Sequence, residues 1–421
     1  MGGRTSAGDQ ICRIDVYKVS RAAARSTQAT AFRRVENMRL SRIKNKILAP
    51  FGRSAKKGLD GGDAFAGVSA LLVRILDNAS TTRHNRKLLS DTAGVTIKAA
   101  ALRSSIHSAR KRMKRGRSRR RIAAVLEGLN LKSVEDETNS ILREDARRWF
   151  LGHTLDIAID THLIPYHGRH YKRKEELGRC KQKDGTTRFH VLATAYAIGE
   201  RGKRFTLAVI FVPLGTSMRD SVRDLLYLLR RCRITVGIML LDRGFYAIEV
   251  VRLLRRLDIG FIIPMKGNRL KKKKGSYRTA YCMKSTNDGK PVSLLVNAAS
   301  VIKYNKGKRF GHHGAMQLCF ITGGIDFALR RIAELYRKRF GIESSYKLDK
   351  SIRPRTSSRN PAIRLFLFNA AVLIQNLWVW IKLYFCRHAD RTSRLMVTLR
   401  DFADILLRWI RVRYGEDTSI G

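Results

Sequence analysis

Positive charge is the feature that most constrains what this chain can fold into. Its 421 residues include 85 lysines and arginines against 34 aspartates and glutamates, which gives a net charge of +51 at pH 7. Self-repulsion at this charge opposes a compact fold unless a polyanion neutralises it. Nucleic acid is the partner that the composition favours, and an anionic membrane surface is the alternative. The length is sufficient for two or three domains.

Cysteine usage and the N-terminal sequence bear on the cellular compartment. None of the six cysteines stands in a Cys-x-x-Cys pair, so no zinc knuckle is predicted, and their scattered spacing suits a reducing cytosol. Residues 1–21 contain no apolar run of signal-peptide length. We therefore expect a cytoplasmic protein that associates with the nucleoid. Met38 is an alternative start, in which case residues 1–37 would be an over-extended reading frame.

One apolar stretch, Leu365–Ile381, could be mistaken for a membrane span. It is 17 residues long and contains three amides, Asn369, Gln375 and Asn376. This is short for a span, and amides are costly in hydrocarbon. The stretch instead predicts a buried core helix that starts near Pro361, and no membrane association.

The region before residue 150 divides into a basic part and a helical part. Residues 1–60 are basic and irregular, and we expect poor order there. Apolar residues at helical spacing predict helices in 61–150. The stretch 90–106 could be half of a helix-turn-helix, and an ordinary helical bundle is the alternative.

A basic segment, Lys111–Arg121, stands within this helical region. Eight of its eleven residues are lysine or arginine. Such a run is often only solvated, but in a chain of this net charge it favours a strip that binds phosphate. The candidate contacts are Lys111, Arg112, Lys114 and Arg115.

From residue 151 the pattern changes to an α/β one. Five strands and two amphipathic helices are predicted in the order β-β-β-α-β-α-β, which gives a mixed sheet of about five strands. The strands are at 154–160, 188–198, 205–214, 235–242 and 260–265, and the helices are at 217–232 and 246–258. Residues 266–323 predict a small β insertion. A helix follows from about Asp326, the α/β domain extends to 385, and 386–421 form a helical tail.

Three carboxylates of the α/β region are candidates for chemistry. Asp160 is predicted to end the first strand and Asp242 the fourth, and ligands of open α/β sheets gather at such strand ends. Glu343 lies on the helix after the insertion. Converging carboxylates repel each other unless cations neutralise them. Two Mg²⁺ or Mn²⁺ ions would do so, and such a pair can activate a water or a 3′-hydroxyl.

Other residues could compete for these roles. A single aspartate at a strand end is more often a structural cap, and Asp156 shares a strand face with Asp160 and is a rival metal ligand. A zinc site is a weaker alternative because its candidate ligands lack a standard spacing. Those candidates are His162, His167, His170 and Cys180.

The helix that carries Glu343 presents a distinctive stripe. Tyr336, Arg339, Glu343 and Lys350 have offsets of 0, 3, 7 and 14, which fall within about 60° of one helix face. On this face Glu343 can hold a metal ion while Arg339 and Lys350 hold flanking phosphates.

This stripe resembles a known family signature. The pattern Tyr336-x2-Arg339-x3-Glu343-x6-Lys350 is similar to the Y-R-E-K signature of DDE transposases of insertion sequences, and "IDTHLIPYHG" and "LDRGFY" resemble the blocks around their two aspartates. The resemblance covers about 151–385. It implies an RNase H-like catalytic domain with a β insertion, metal binding by Asp160, Asp242 and Glu343, and DNA contacts by Tyr336, Arg339 and Lys350.

The resemblance also implies an activity and partners. The expected protein binds the terminal inverted repeats of its own element, cleaves the DNA with metal ions, and joins the 3′ ends to target DNA as a homodimer. End recognition is assigned to 61–150 from its charge and from the usual layout of the family. The alternatives are an RNase H-like structure-selective nuclease or resolvase, and a domesticated DNA-binding protein.

Overall fold

The computed structural model of the protein leaves parts of the chain undescribed. It describes residues 61–198, 204–267, 270, 273–287, 290–304, 315–384 and 398–416, and it gives only the backbone of residues 61, 204, 287, 304, 315, 340–349 and 382–384. The predicted poorly ordered segment 1–60 lies outside the described residues, as do 386–397 of the predicted tail. The described residues belong to one compact unit.

Among the described residues, five helices precede the sheet, in the region that the sequence predicted to be helical. They are α1 (Gly61–Ala79), α2 (Arg86–Leu102), α3 (Ile106–Lys111), α4 (Arg119–Glu127) and α5 (Leu131–Phe150). Asn85 caps α2 by accepting a hydrogen bond from the backbone N–H of Leu88. Residues 91–101 of α2 are all buried, so this helix has no free face to enter a DNA groove. The bundle interpretation of 90–106 therefore fits the structure, and the helix-turn-helix interpretation does not.

In the described part of the chain, the strands that follow form one sheet of nine. The strands are β1 (Thr154–Pro165), β2 (Gly178–Lys183), β3 (Thr186–Ile198), β4 (Arg204–Val212), β5 (Thr235–Leu241), β6 (Gly260–Pro264), β7 (Tyr277–Asn287), β8 (Lys290–Tyr304) and β9 (Ala315–Gly323). Their order is β2-β3-β1-β5-β6-β9-β8-β7, and β4 also pairs with β3. Among the described strand pairs, β1–β5 and β5–β6 are parallel and the others are antiparallel. The predicted mixed α/β sheet is confirmed, but the expected number of strands was too small.

The predicted insertion at about 266–323 is not a separate sheet. β9 pairs with β6, β8 pairs with β9, and β7 pairs with β8, so the inserted strands continue the main sheet. The edge of β6 would otherwise present unpaired N–H and C=O groups, and β9 satisfies them. Strands β2 and β7 were not predicted from the sequence.

Helices cover both faces of the sheet. The apolar side chains of α6 (Met218–Arg231), α7 (Ile248–Arg256), α5 and α9 (Pro361–Tyr384) pack in one cluster with Ile157 and Ile159 of β1. The opposite face is covered by α8 (Leu329–Ile352), whose Ile332, Leu335 and Tyr336 pack against Ala158 and Leu240.

Helix α9 contains the stretch that could be mistaken for a membrane span. By length and composition it could cross a membrane, but 94% of its most apolar window is buried in the protein. Two of its amides bond to neighbouring elements. Asn376 accepts from the Thr206 N–H at 3.0 Å and donates to the Thr206 carbonyl at 2.9 Å, and Asn369 donates to Thr138. The predicted core helix is confirmed.

A last helix, α10 (Leu399–Tyr414), returns to the beginning of the described chain. It packs against α1 and α2. Its N-terminus has a capping box in which Thr398 and Asp401 exchange hydrogen bonds. The helical part of the predicted tail is therefore an integral member of the N-terminal helical layer.

Candidate active site

Strand pairing brings two of the predicted carboxylates to one place. Strands β1 and β5 run in parallel, and the last residues paired between them are Ile159 and Leu241. Asp160 and Asp242 follow these residues. Side chains alternate between the faces of a strand, so both aspartates project on the face that α8 covers. The prediction that Asp160 ends β1 was wrong, because β1 continues to Pro165 along β3.

Arg339 of α8 bridges the two aspartates. Its Nη2 lies 3.1 Å from Asp242 Oδ1, and its Nη1 lies 3.6 Å from Asp160 Oδ2. Arg339 is 4% exposed and Asp160 is 8% exposed, so water screens this ion pair little. The guanidinium therefore neutralises two carboxylates that would otherwise repel each other.

Backbone donors orient both carboxylates. The N–H of Thr161 donates to Asp160 Oδ1 at 2.9 Å, and the N–H of Arg243 donates to Asp242 Oδ1 at 2.6 Å. The second contact caps a short 3₁₀ turn, 243–245, that directly follows β5. The carboxylate oxygens of the two aspartates are thus held by the backbone of β1 and of the turn that follows β5.

Tyr336 supports Arg339 from inside the protein. Its hydroxyl accepts a hydrogen bond from Arg339 Nε at 3.0 Å, and its ring lies 4.9 Å from that of Phe320. Tyr336 is 4% exposed, and burial raises the pKa of its hydroxyl to about 12. The sequence predicted DNA contacts for Tyr336 and Arg339, but both side chains are packed between α8 and the sheet. Tyr336 and Arg339 do share one face of α8, as the spacing predicted, but that face packs against the sheet.

The remaining residues of the stripe lie further along α8. Glu343 is in the helix one turn after Arg339, on the same face by its spacing, but its side chain lies outside the described ones. Lys350 is exposed near the end of the helix, where it is accessible to DNA.

The rival ligands lie elsewhere. Asp156 is four residues before Asp160 on β1, about 13 Å away along the strand, and burial raises the pKa of its carboxyl. His162 is buried, stacks on Phe368, and its Nε2 is 2.8 Å from Arg353 Nη1. His167, His170 and Cys180 are exposed. Among the described side chains, no three His, Cys, Asp or Glu residues cluster closely enough to hold a metal ion.

The chemistry of the donor set fits Mg²⁺ or Mn²⁺. Asp160 and Asp242 supply carboxylate oxygens, which these hard cations prefer. Both are already arranged around a positive group, the guanidinium of Arg339. Glu343 would supply a third carboxylate from α8.

The basic segment forms a second cluster of candidate residues. Lys111, Arg112, Lys114 and Arg115 are all exposed. Sequence reasoning missed the residues that hold this segment, Arg110 and the buried Lys98. A lysine in an otherwise apolar stretch of helix, "VTIKAAA", was the available signal.

Comparisons with known proteins identify the family and the fold. The family described as the transposase DDE domain matches residues 152–377, a little more than half of the chain. Among curated proteins, none matches the sequence. A solved structure, described as a piggyBac transposase synaptic complex with hairpin DNA, aligns with a TM-score of 0.50 and 12% identity, covering 87% of this chain and 84% of that chain. Its likeness shows the fold. The chain therefore belongs to the transposase DDE-domain family and has its RNase H-like fold, a mixed sheet preceded by a mainly helical region.

Proposed function

We propose that this transposase binds the terminal inverted repeats of its own insertion sequence, cleaves the DNA by metal-dependent hydrolysis, and joins the 3′ ends to target DNA. One observation carries the proposal. Asp160 and Asp242 meet where the pairing of the two central strands β1 and β5 ends, under the helix that carries Glu343. Carboxylates brought together in this way serve cation binding, and a protein that only binds DNA has no use for them.

The three carboxylates have a common role in this proposal. Asp160, Asp242 and Glu343 hold two divalent ions, Mg²⁺ or Mn²⁺. Such ions, when bound, activate a water or a 3′-hydroxyl and stabilise the leaving oxygen. The backbone N–H groups of Thr161 and Arg243 fix the two aspartates before DNA arrives. This preorganisation removes a reorganisation cost from the chemical step.

The stripe on α8 divides into supporting and contacting residues. Arg339 neutralises the aspartates and stands beside any phosphate that reaches them. Tyr336 positions Arg339 through its buried hydroxyl. Lys350, which is exposed, contacts the backbone of the transposon end.

The DNA partner is held by the helical layer. The exposed cations Lys111, Arg112, Lys114 and Arg115 bind phosphates of the transposon end. A homodimer brings two ends together, and the protein acts in the cytoplasm at the nucleoid.

Substitution of the carboxylates tests the proposed chemistry. Asp160→Asn, Asp242→Asn and Glu343→Gln are each expected to abolish cleavage of end-bearing DNA in Mg²⁺ while gel shifts show unchanged binding. Asp156→Asn is the matched control on the same face of β1 and is expected to cleave normally. Substantial cleavage by any of the three variants would disprove the assignment, and loss of cleavage in the control instead would move the site.

The wild-type protein distinguishes the alternative functions. A transposase both cuts its ends and joins them to a target plasmid. Cutting of branched DNA without joining would identify a structure-selective nuclease or resolvase. Tight binding with neither reaction in Mg²⁺ or Mn²⁺ would identify a domesticated DNA-binding protein.

A further inference from the structure

The basic segment Lys111–Arg121 has a fixed backbone although its charges repel each other. The guanidinium of Arg110 donates to three of its carbonyl oxygens: Nε to Arg117 at 2.6 Å, Nη1 to Met113 at 2.5 Å and Nη2 to Gly116 at 2.7 Å. Only an arginine offers such a planar fork of donors. These three hydrogen bonds hold the backbone of the segment in one conformation.

Two polar side chains of α2 also form hydrogen bonds with the backbone of the segment. Lys98 is 1% exposed, and its Nζ lies 2.5 Å from the carbonyl oxygen of Arg112. Asp91 Oδ2 accepts from the backbone N–H of Arg117 at 2.9 Å. Burial lowers the pKa of Lys98, and a buried ammonium is costly unless its hydrogen bonds are made. Packing alone does not require a lysine here. Its polar partners are the segment and Glu416, whose Oε1 lies 3.9 Å from Nζ.

Helix α10 closes the segment from the other side. The backbone N–H of Arg115 donates to the carbonyl of Tyr414 at 2.8 Å, and Met113 forms a β-bridge with Glu416. Tyr414 fits against Gly94 of α2, where a Cβ atom would lie 2.6 Å from its hydroxyl oxygen. The segment is therefore built jointly by the N-terminal helices and by α10.

A cationic groove extends from this junction. It has a volume of about 1010 Å³ and is lined by α1, α2, the basic segment and α10. Exposed cations from three of these elements face it: Arg86 and Lys87 of α2, Arg115 of the segment, and Arg413 of α10. They outnumber the exposed carboxylate of its lining, Asp77 of α1. A groove lined by cations from separate elements suits a polyanion that crosses all of them.

We propose that this groove and the basic segment are one composite surface for the backbone of duplex DNA. Arg86, Lys87 and Arg413 contact phosphates together with the segment. Arg110 and Lys98 are positioning residues that hold the segment without touching DNA. This inference rests on the proposed function, which assigns DNA binding to the segment. It adds α2 and α10 to the DNA-binding surface.

The salt dependence of DNA binding tests the contacts. Each phosphate contact contributes about 0.9 to the slope of log K against log salt. The double variant Arg86→Ser/Lys87→Ser is therefore expected to flatten the slope by about 1.8, measured by fluorescence anisotropy with a labelled duplex. Arg252→Ser/Arg255→Ser, on exposed positions of α7, removes the same charge outside the groove and is expected to leave the slope unchanged.

Charge-preserving substitution tests the positioning role. Arg110→Lys keeps the charge but loses the fork of donors, so the slope is expected to stay constant while Kd rises about tenfold. That factor corresponds to the cost of ordering about one backbone residue on binding. Lys98→Met removes a charge that is buried, and it too is expected to raise Kd without changing the slope. Circular dichroism confirms folding, and Arg110→Lys carries the test alone if Lys98→Met does not fold.

A reference variant separates this inference from the proposed function. Replacing Arg115, Arg119, Arg120 and Arg121 of the segment by serine is expected to flatten the slope by about 3 to 4. If it does so while Arg86→Ser/Lys87→Ser changes nothing, the segment binds DNA but the composite surface is wrong. If neither variant changes the slope, both the composite surface and the proposed DNA contact of the segment are refuted. A Kd for Arg110→Lys equal to that of the wild type would show that the fork of donors does not hold the segment for binding, and would refute the positioning role of Arg110.

Discussion

Replacing Arg339 by methionine removes the cation that neutralises Asp160 and Asp242. Breaking a buried ion pair costs about 3 to 5 kcal/mol because an uncompensated charge stays behind. The side chain of Asp242 is 39% exposed, so water screens part of the repulsion, and we expect a loss near the lower limit, about 3 kcal/mol. With an unfolding entropy of about 2 cal/mol/K per residue, the Tm of the metal-free protein falls by about 4 °C.

Metal binding should respond in the opposite direction. In the wild type a divalent ion must compete with the guanidinium for the same carboxylates. At an effective dielectric constant of about 20, a unit charge at contact distance contributes up to about 4 kcal/mol. We therefore expect Arg339→Met to bind Mn²⁺ at least tenfold more tightly (about 1.4 kcal/mol), and added Mn²⁺ to recover the lost Tm.

Calorimetry and thermal melts in EDTA and in Mn²⁺, both without DNA, measure these effects. Arg337→Met is the matched control, because Arg337 is an exposed arginine on the same helix, and it should change neither quantity. Equal Tm values in EDTA for Arg339→Met and wild type, with equal Mn²⁺ affinity, would refute the neutralising role of Arg339.

The remaining predictions concern stability. Asn376→Leu leaves the buried N–H and C=O of Thr206 without their partner, so urea denaturation should show a loss of about 3 kcal/mol. Gln375→Leu removes a buried Oε1 that has no hydrogen-bond partner among the described residues, and it should cost far less. Burial, with a smaller effect of Arg364, lowers the pKa of His190 from 6.5 to about 3. The unfolded chain therefore binds a proton below about pH 6.5 that the folded chain does not bind until about pH 3. Between about pH 6.5 and pH 3, His190 should therefore lower the free energy of unfolding by about 1.4 kcal/mol for each unit by which the pH decreases. The slope of that free energy against pH should be smaller by the same amount in His190→Phe.

The sequence predicted the convergence of Asp160 and Asp242 because that convergence depends on local patterns. The apolar runs predicted the strands β1 and β5, and the order of strands and helices predicted that the two strands lie side by side. The length of β1 was not, because its continuation to Pro165 depends on pairing with β3. The end of a strand depends on the strands that pair with it, and the sequence of the strand alone does not identify them.

The helical stripe shows a different limit. The period of 3.6 residues placed Tyr336 and Arg339 on one face, but it could not show what that face meets. A basic residue is usually solvated, whereas Arg339 is buried, because it forms ion pairs with two carboxylates of the sheet, Asp160 and Asp242. Likewise, β8 and β9 were recognised within 266–323, but the pairing of β9 with β6 depends on an edge that only the assembled sheet presents.

The closure of the basic segment by α10 has a consequence for biosynthesis. The hydroxyl of Tyr414 donates to the carbonyl of Ser90, a residue 324 positions earlier in the chain. At about 5 to 20 residues per second, the ribosome adds these residues in roughly 16 to 65 s. During that time the nascent chain carries Lys111–Arg121 without the helix that completes their setting. A ribosome that stalls before α10 would therefore release a product with the cations but without their fixed arrangement, and such a fragment would compete weakly for DNA.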